Sequence, residues 1–314
     1  MSQFAPTSQN KPRGLFWILY GVGGVGKTEQ ALKLHGPDKT YLLNLELRAG
    51  HVDGVVGVSR TEENADGTLK IPDLKSIYSL IDYIADSNYR AFVIDSYTLL
   101  VGYIFAHVNG KKFEYSAEGG WENKNKAVEE AEKLAKYIQT KLVEKGIDVI
   151  MPAHEKMAPY NDPKEEKPYD RFTIDAPHDA ITKVFIRLAD NVGFCHYDVE
   201  KRGENGKNKI KVDGKGERSI LFENRPWATD CKNSSGLSAY VDMDKEANNL
   251  RAALAAAKDN RGKTAAQLQE DVRALCQSAS PDIRKASLLA LSKAGDDKIE
   301  LARLKEKLSI AVSA

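Results

Sequence analysis

The alternation of apolar and polar positions predicts strands and helices in turn over the first two-thirds of the chain. Four short apolar runs with β-branched and aromatic members are typical of buried strands. They lie at residues 15–20, 40–46, 90–95 and 147–153. The segments predicted to be helical are 27–35, 73–86, 97–108 and 126–144. Strands that alternate with helices predict an α/β fold with a mostly parallel sheet covered on both faces.

The pattern then changes along the chain. Residues 109–125 and 155–173 are polar and are predicted to be loops, and residues 200–218 are predicted to be a charged, solvated hairpin. From about residue 244 the strand signals stop, and segments rich in Ala, Leu, Lys and Glu predict helices. We therefore expect a flexible N-terminal segment, an α/β core and a helical C-terminal region, with the bounds 1–14, 15–243 and 244–314.

Composition narrows the class of protein. The chain has 314 residues, of which 42% are hydrophobic and 29% charged, and no apolar run approaches the ~20 residues of a membrane helix. The first 14 residues lack the apolar stretch of a secretory signal. Three widely spaced cysteines without a CxxC pair indicate reduced thiols and no zinc site. We expect a cytoplasmic protein. A net charge of +1 means that any nucleic-acid contact must come from local patches or from many subunits together.

A glycine-rich stretch between the first strand and the first helix matches the phosphate-binding pattern GxxxxGK[ST] in full. Glycines let backbone N–H groups turn toward phosphates, while Lys27 is placed to reach the β- and γ-phosphates and Thr28 to bind Mg²⁺. A chain of this length matches the pattern by chance in about 1% of cases. The sequence therefore predicts that ATP and Mg²⁺ bind here, and the predicted nucleotide-binding residues are Gly21, Gly23, Gly24, Gly26, Lys27, Thr28 and Glu29.

Acidic residues at two strand ends extend this prediction. Asp95 ends the apolar run 91–95 and is predicted to lie beside the Mg²⁺ ion, as in a Walker B strand, although an aspartate there can also simply cap the next helix. No acidic residue follows Asp95, so we assign the catalytic base to Glu46, at the end of the second strand. The alternative is a solvated strand-end glutamate.

His154 ends the fourth predicted strand, on the edge expected to carry Glu46 and Asp95. A polar residue there can hydrogen-bond the γ-phosphate and relay the nucleotide state to the loop that follows. The alternative is a partly exposed histidine at a strand end.

These motifs together resemble the RecA-like ATPases and, more narrowly, the phage-encoded Sak group that acts in single-strand annealing and recombination. The resemblance spans roughly residues 14–240. It is carried by GVGGVGKT (21–28), NLE (44–46), FVIDS (92–96), Trp121, PAHEK (152–156) and DCKNSSGL (230–237). It implies a RecA-like P-loop core, ATP hydrolysis and assembly of the chain into a homo-oligomer.

The resemblance also implies that the stretches 109–125 and 155–173 contact single-stranded DNA. Lysines there would hold phosphates and aromatic side chains would stack on bases. The second stretch also carries acidic residues, and both can be ordinary solvated loops. The DNA-binding residues implied are Lys111, Lys112, Trp121, Lys156, Lys164, Lys167 and Arg171.

A lysine near the end of the core is implied to touch the γ-phosphate of a neighbouring subunit. Related ring-forming helicases carry a Lys-x-Arg there, and the matching residues are Lys232 and Ser234. Because the arginine position is serine, hydrolysis is expected to be slow or switch-like. The alternative is a surface lysine in a turn.

We therefore expect an ATP-dependent protein that binds single-stranded DNA and promotes annealing or recombination. One alternative is a nucleotide-dependent switch or loader that acts on a protein partner, and another is a ring helicase motor. The sequence leaves open whether the helical region binds DNA, a single-strand-binding protein or the core.

Overall fold

Buried apolar runs form the predicted strands of the sheet. The computed structural model describes residues 13–46, 57–60, 74–110, 120–198, 200–203, 210–213, 216–244, 249–261 and 263–313. The strands in chain order are β1 (Phe16–Gly21), β2 (Thr40–Asn44), β3 (Gly57–Arg60), β4 (Ala91–Asp95), β5 (Asp148–Ala153), β6 (Glu155–Tyr160), β7 (Tyr169–Ile174), β8 (Asn191–Tyr197), β9 (Glu200–Gly203), β10 (Ile210–Asp213), β11 (Arg218–Leu221), β12 (Lys232–Asn233) and β13 (Tyr240–Asp242).

Helices connect these strands and dominate the C-terminal part of the described chain. They are α1 (Lys27–Lys33), α2 (Leu74–Ala85), α3 (Tyr97–Asn109), α4 (Gly120–Lys141), α5 (Asp179–Leu188), α6 (Leu250–Arg261), α7 (Ala265–Ser278), α8 (Pro281–Ala294) and α9 (Lys298–Ser313). Short 3₁₀ turns cover Pro37–Lys39 and Val143–Lys145. None of the described helices combines the length and the apolar character needed to cross a bilayer.

Residue contacts divide the chain into two units. The first contains Met1–Gly193 and Arg225–Asp230, and the second contains Phe194–Asn224 and Cys231–Ala314. Strand β8 thus begins in the first unit and ends in the second. These units differ from the regions expected from sequence, whose boundary at residue 243 stays a prediction.

The first unit is built on parallel strands in the order β1-β5-β4-β2-β3. All side chains of β1, β4 and β5 are buried, which explains why these strands are continuous apolar runs rather than alternating ones. The register pairs Tyr20 with Ala153 and Asn44 with Asp95, so the carboxyl ends of four strands meet at one edge. The predicted α/β class, the mostly parallel sheet and the helical C-terminal segment are confirmed.

Helical periodicity is seen in α2, where Leu74, Ile77, Ile81 and Ile84 are the buried residues. The long helix α4 begins at Gly120, six residues before its predicted start, so the end of the predicted loop 109–125 is helical. Polar residues in this first turn carry no apolar period, and that is why the pattern missed it.

The prediction of a loop over residues 155–173 was wrong, because β6 and β7 pair there as an antiparallel hairpin. We call Glu155–Ile174 the hairpin. Its strands are held by cross-strand contacts: the Tyr160 and Tyr169 rings meet edge to face, and the Arg171 guanidinium lies 3.6 Å from the Tyr160 ring centroid. Three prolines suggested a loop, yet prolines are tolerated in edge strands and turns.

The second unit combines antiparallel strands with the C-terminal helices. Strand β11 pairs with the end of β8 and with β13, and β9 pairs with β10 in the predicted charged hairpin. Buried apolar side chains of α7, α8 and α9 form one cluster that includes Leu268, Val272, Leu291, Leu301 and Leu308. Both Lys263 and Lys305 bridge Asp259 and Asp271 at 2.8–3.0 Å, which links α6, α7 and α9.

Candidate functional site

The glycine-rich loop joins β1 to α1 at the carboxyl edge of the sheet. Gly24 and Gly26 have φ angles of 79° and 99°, a left-handed conformation that side chains disfavour. A Cβ at Gly23 or Gly24 would meet no neighbouring atom within 4 Å. Backbone geometry, and not crowding, therefore accounts for the glycine at position 24, and the loop surface stays open to a ligand.

Lys27 is buried at the start of α1. Its ammonium donates to the carbonyl oxygens of Gly21 and Val22 at 2.7 and 2.9 Å. The carbonyl groups of the loop thus hold the Lys27 ammonium in place, and the oxygens of a bound phosphate can replace these carbonyls as acceptors.

Thr28 and Asp95 meet beside this lysine. The Thr28 hydroxyl donates to Oδ2 of Asp95 at 2.7 Å. Burial raises the pKa of Asp95, and the hydrogen bond from Thr28 opposes that shift. A buried carboxylate and a hydroxyl are the hard oxygen ligands that Mg²⁺ prefers, and Mg²⁺ keeps several waters, so two protein ligands are enough.

Ser96 adds an observation that bears on the fit of a nucleotide. Its side chain is buried, and its hydroxyl oxygen has no hydrogen-bond partner among the described residues. Ser96 nevertheless lines a cavity together with Lys27, Thr28 and Asp95. Buried hydroxyls are normally paired, so an oxygen-rich ligand or its water would satisfy this one. The sequence-based prediction did not include Ser96, although its place directly after Asp95 is a usable signal.

Glu46 and His154 line the same cavity as Lys27, Thr28 and Asp95. His154 Nε2 lies 2.7 Å from Oε1 of Glu46. The backbone N–H groups of Leu45 and Glu46 both donate to the carbonyl of Asp95, at 2.6 and 3.2 Å, so the Asp95 backbone positions the glutamate. The hydrogen bond to Glu46 raises the pKa of His154 above its ordinary 6.5, against the opposing effect of burial.

One open cavity of about 400 Å³ collects these side chains. Its lining residues are Gly23, Gly24, Gly26, Lys27, Thr28, Glu29, Glu46, Asp95, Ser96 and His154. Gly21 ends β1 and bonds Lys27 through its carbonyl, and Lys232 lies in β12 of the second unit. No cluster of three or more potential metal-binding His, Cys, Asp or Glu side chains occurs in the described part of the chain.

The residues implied in DNA contact are spread over α4 and the hairpin. Trp121 is 81% exposed in the first turn of α4. Lys164 and Lys167 are exposed between the hairpin strands. Lys156 reaches Asp179 at 3.5 Å, and Arg171 covers the Tyr160 ring. Lys111 and Lys112 lie outside the described residues.

A family model described as an AAA domain matches residues 13–235, well over half of the chain. No curated protein matches the chain. The matched range contains every residue that lines the cavity.

Proposed function

Because the chain belongs to the AAA domain family, a family of ATPase-type nucleotide-binding domains, we propose that it binds and hydrolyses ATP with Mg²⁺ at this cavity. The supporting observation is the convergence, in one cavity, of the Lys27 ammonium, the Thr28–Asp95 pair and the Glu46–His154 pair. A phosphate-binding cation, a hard-oxygen pair and a candidate base are the three components that phosphoryl transfer requires.

Each binding group has a defined task in this proposal. Lys27 exchanges the carbonyls of Gly21 and Val22 for phosphate oxygens, and the loop N–H groups bind the same phosphates. Thr28 and Asp95 hold Mg²⁺, which neutralises the charge that builds up on the transferred phosphoryl group.

Glu46 acts as the base that orients and deprotonates the attacking water. The hydrogen bond to His154 holds its carboxylate in place, and the N–H bonds to the Asp95 carbonyl hold its backbone. The raised pKa of His154 favours an imidazolium beside the carboxylate, and that cation is also suited to bind the γ-phosphate.

Replacement of Lys27 tests this proposal. We expect Lys27→Ala to lose Mg²⁺-dependent ATP hydrolysis and most of its affinity for a fluorescent ADP analogue, because the phosphates lose their buried cation. Lys33→Ala is the matched control, since Lys33 lies on the same helix, is exposed and, within the described part of the chain, pairs with Glu29 in an i,i+4 bridge. Equal loss in both variants, or hydrolysis that survives in Lys27→Ala, would contradict the proposed site.

We further propose that ATP binding controls contact with single-stranded DNA through the hairpin and the start of α4, in annealing or recombination. The hairpin follows β5 directly after His154, so the residue that contacts the nucleotide is covalently next to it. It presents exposed lysines and a stacked Arg171–Tyr160 pair, and Trp121 is exposed on α4. Exposed aromatic and basic groups suit sequence-independent binding.

A binding titration tests the DNA proposal. With Mg²⁺ and a non-hydrolysable ATP analogue, labelled single-stranded DNA should bind, and Lys164→Ala with Lys167→Ala should lower the salt slope of log K by about 1.4, as expected for two lost phosphate contacts. Lys133→Ala, an exposed lysine of α4 paired with Glu130, is the control.

A switch that acts on a protein partner is the second candidate. It is favoured because the hairpin carries five acidic and four basic side chains, which is a poor surface for a polyanion. Absence of DNA binding at low salt, with nucleotide binding intact, would select this candidate over the DNA proposal.

We also propose that the chain forms a homo-oligomer in which Lys232 acts on the nucleotide of a neighbouring subunit. The support is its partly exposed position in β12 and the reach of a lysine side chain toward phosphate. A mixture of Lys27→Ala and Lys232→Ala should regain hydrolysis that neither variant has alone. In mixed oligomers some interfaces place the intact Lys27 of one subunit beside the intact Lys232 of its neighbour. Hydrolysis in Lys232→Ala at the wild-type rate would rule out the trans role.

A further inference from the structure

The segment Arg225–Asp230, which we call the clasp, lies along one side of the hairpin. The Phe172 N–H donates to the Trp227 carbonyl at 2.9 Å, and the Thr229 N–H donates to the Phe172 carbonyl at 3.1 Å. The Asp230 carboxylate accepts hydrogen bonds from the Thr173 hydroxyl and, at 3.3 Å, from the Ile174 N–H. The clasp thus pairs with β7 through one parallel bridge, between Phe172 and Ala228, and through the Asp230 carboxylate.

The same clasp is bonded to the end of β1. The hydroxyl of the fully buried Tyr20 donates to the carbonyl oxygen of Thr229. Tyr20 directly precedes Gly21, whose own carbonyl accepts from Lys27. A phosphate that binds Lys27 in place of this carbonyl therefore removes a hydrogen bond from Gly21, the residue next to Tyr20.

The base of the hairpin is held separately, by Thr98 in the first turn of α3. The Thr98 hydroxyl accepts from the His154 N–H at 3.3 Å and donates to the Asp175 carbonyl at 2.9 Å. The Asp175 N–H in turn donates to the His154 carbonyl at 2.8 Å. Because the base is fixed in this way, a movement of the clasp would act on β7 at residues 172–174 and, through the β6–β7 pairing, on the rest of the hairpin.

We propose that the clasp transmits the nucleotide state of the phosphate loop to the hairpin, with Tyr20 and Asp230 as the positioning residues. This inference rests on the proposed nucleotide site. Tyr20 supplies the connection to the loop, and Asp230 supplies the connection to β7. Asp230 has a φ angle of 67°, a conformation that Gly, Asn and Asp tolerate best, so its carboxylate is held at this place by an uncommon backbone geometry.

A label on the hairpin tests the transmission. The three native cysteines are buried, so Lys164→Cys gives one exposed thiol for an environment-sensitive fluorophore. We expect the label signal to differ between Mg²⁺–ADP and a Mg²⁺-bound non-hydrolysable ATP analogue. Adding Tyr20→Phe should lower the coupling between nucleotide and hairpin, taken as the ratio of the label's equilibrium constants in the two nucleotides, about fivefold, the equivalent of one lost hydrogen bond. The affinity for a fluorescent ADP analogue should stay within about twofold.

Two comparisons separate transmission from a general structural role. Tyr160→Phe removes a tyrosine hydroxyl from the hairpin itself and should leave the signal unchanged. Asp230→Asn keeps both an acceptor oxygen and the tolerance for positive φ, so it should preserve the signal that Asp230→Ala loses.

The outcomes distinguish the clasp from the site on which it rests. Failure of the labelled parent to bind either nucleotide would overturn the proposed function and the clasp with it. Nucleotide binding with an undiminished signal difference in Tyr20→Phe would overturn the clasp alone. Loss of the difference in Tyr20→Phe and Asp230→Ala, with nucleotide affinity and cooperative thermal unfolding retained in Tyr20→Phe, would support it.

Discussion

The parallel sheet has a carboxyl edge, where its strands end, and an amino edge, where its strands begin. Each carries a histidine paired with a carboxylate, and the nitrogen–oxygen distance is the same in the two pairs. At the carboxyl edge His154 Nε2 lies 2.7 Å from Glu46, and at the amino edge His35 Nε2 lies 2.7 Å from Asp148. Pair geometry alone therefore does not mark a site of chemistry. The surroundings of each pair do.

At the amino edge both oxygens of the carboxylate are engaged by the fold. Asp148 accepts from the Leu15 N–H at 2.6 Å through one oxygen and contacts His35 through the other. Asp190 likewise accepts from the Phe16 N–H and from Arg13. These acids hold the start of β1, whereas Glu46 faces an open cavity beside a lysine and a second carboxylate.

The largest expected effect is on catalysis. Glu46→Gln should lower kcat about 10²- to 10⁴-fold, because the amide cannot accept the proton of the attacking water. Affinity for a fluorescent ADP analogue should change little, since Glu46 is assigned to the water and not to the phosphates. Asp148→Asn, the matched change at the amino edge, should leave kcat of the folded protein nearly unchanged. A comparable fall in both variants would remove the distinction between the edges.

The next largest effect is expected on the Mg²⁺ dependence of nucleotide binding. Asp95→Asn should weaken the Mg²⁺ dependence of nucleotide binding by at least about tenfold. Because burial raises the pKa of Asp95, its charged form is disfavoured in the folded protein, and stability falls as pH rises from the unfolded pKa through the folded one. Without metal at neutral pH, Asp95→Asn should therefore equal or exceed the parent in thermal midpoint. A lower midpoint would contradict this account of the carboxyl edge.

Substitutions at the amino edge should lower the stability of the fold instead of kcat. Asp148→Ala removes the acceptor of the Leu15 N–H and of His35, and it should lower the free energy of unfolding by about 1–3 kcal/mol. Urea unfolding followed by circular dichroism measures this loss. Glu46→Ala is the comparison, and a larger loss there would mean that the cavity pair, and not the amino-edge pair, supports the fold.

The sequence predicted the grouping of the cavity residues for a physical reason. The carboxyl ends of parallel strands meet at one edge, so Glu46, Asp95 and His154 had to lie near the phosphate loop once the strands were assigned. Their catalytic roles remain predictions. Ser96 was missed although it directly follows Asp95, because its burial without a partner among the described residues is seen only in the structure.

The hairpin and the clasp could not be predicted in the same way. Neither strand of the hairpin has a buried face: β6 has no fully buried residue and β7 has only Ile174. Apolar and polar residues therefore do not alternate along these strands as they do where one face of a strand is in the core. The clasp depends on contacts such as the one between Tyr20 and Thr229, which are 209 positions apart. Long-range hydrogen bonds of single residues leave no local signal in a sequence.

The smallest predicted effect is the pH dependence of the carboxyl-edge pair. The pKa of His154 is raised by Glu46, so the pair's contribution to stability is fully present below the ordinary histidine value of 6.5 and is lost as pH rises through the raised folded value. The difference in unfolding free energy between the parent and His154→Ala should therefore be larger at about pH 6 than at about pH 9. Because both side chains are partly exposed, the change should stay below about 1 kcal/mol. In a Glu46→Gln background the pH dependence should become much smaller, since the imidazolium then loses its hydrogen-bonded carboxylate and keeps only the weaker effect of the Asp95 charge. An unchanged pH dependence there would assign the shift to another group.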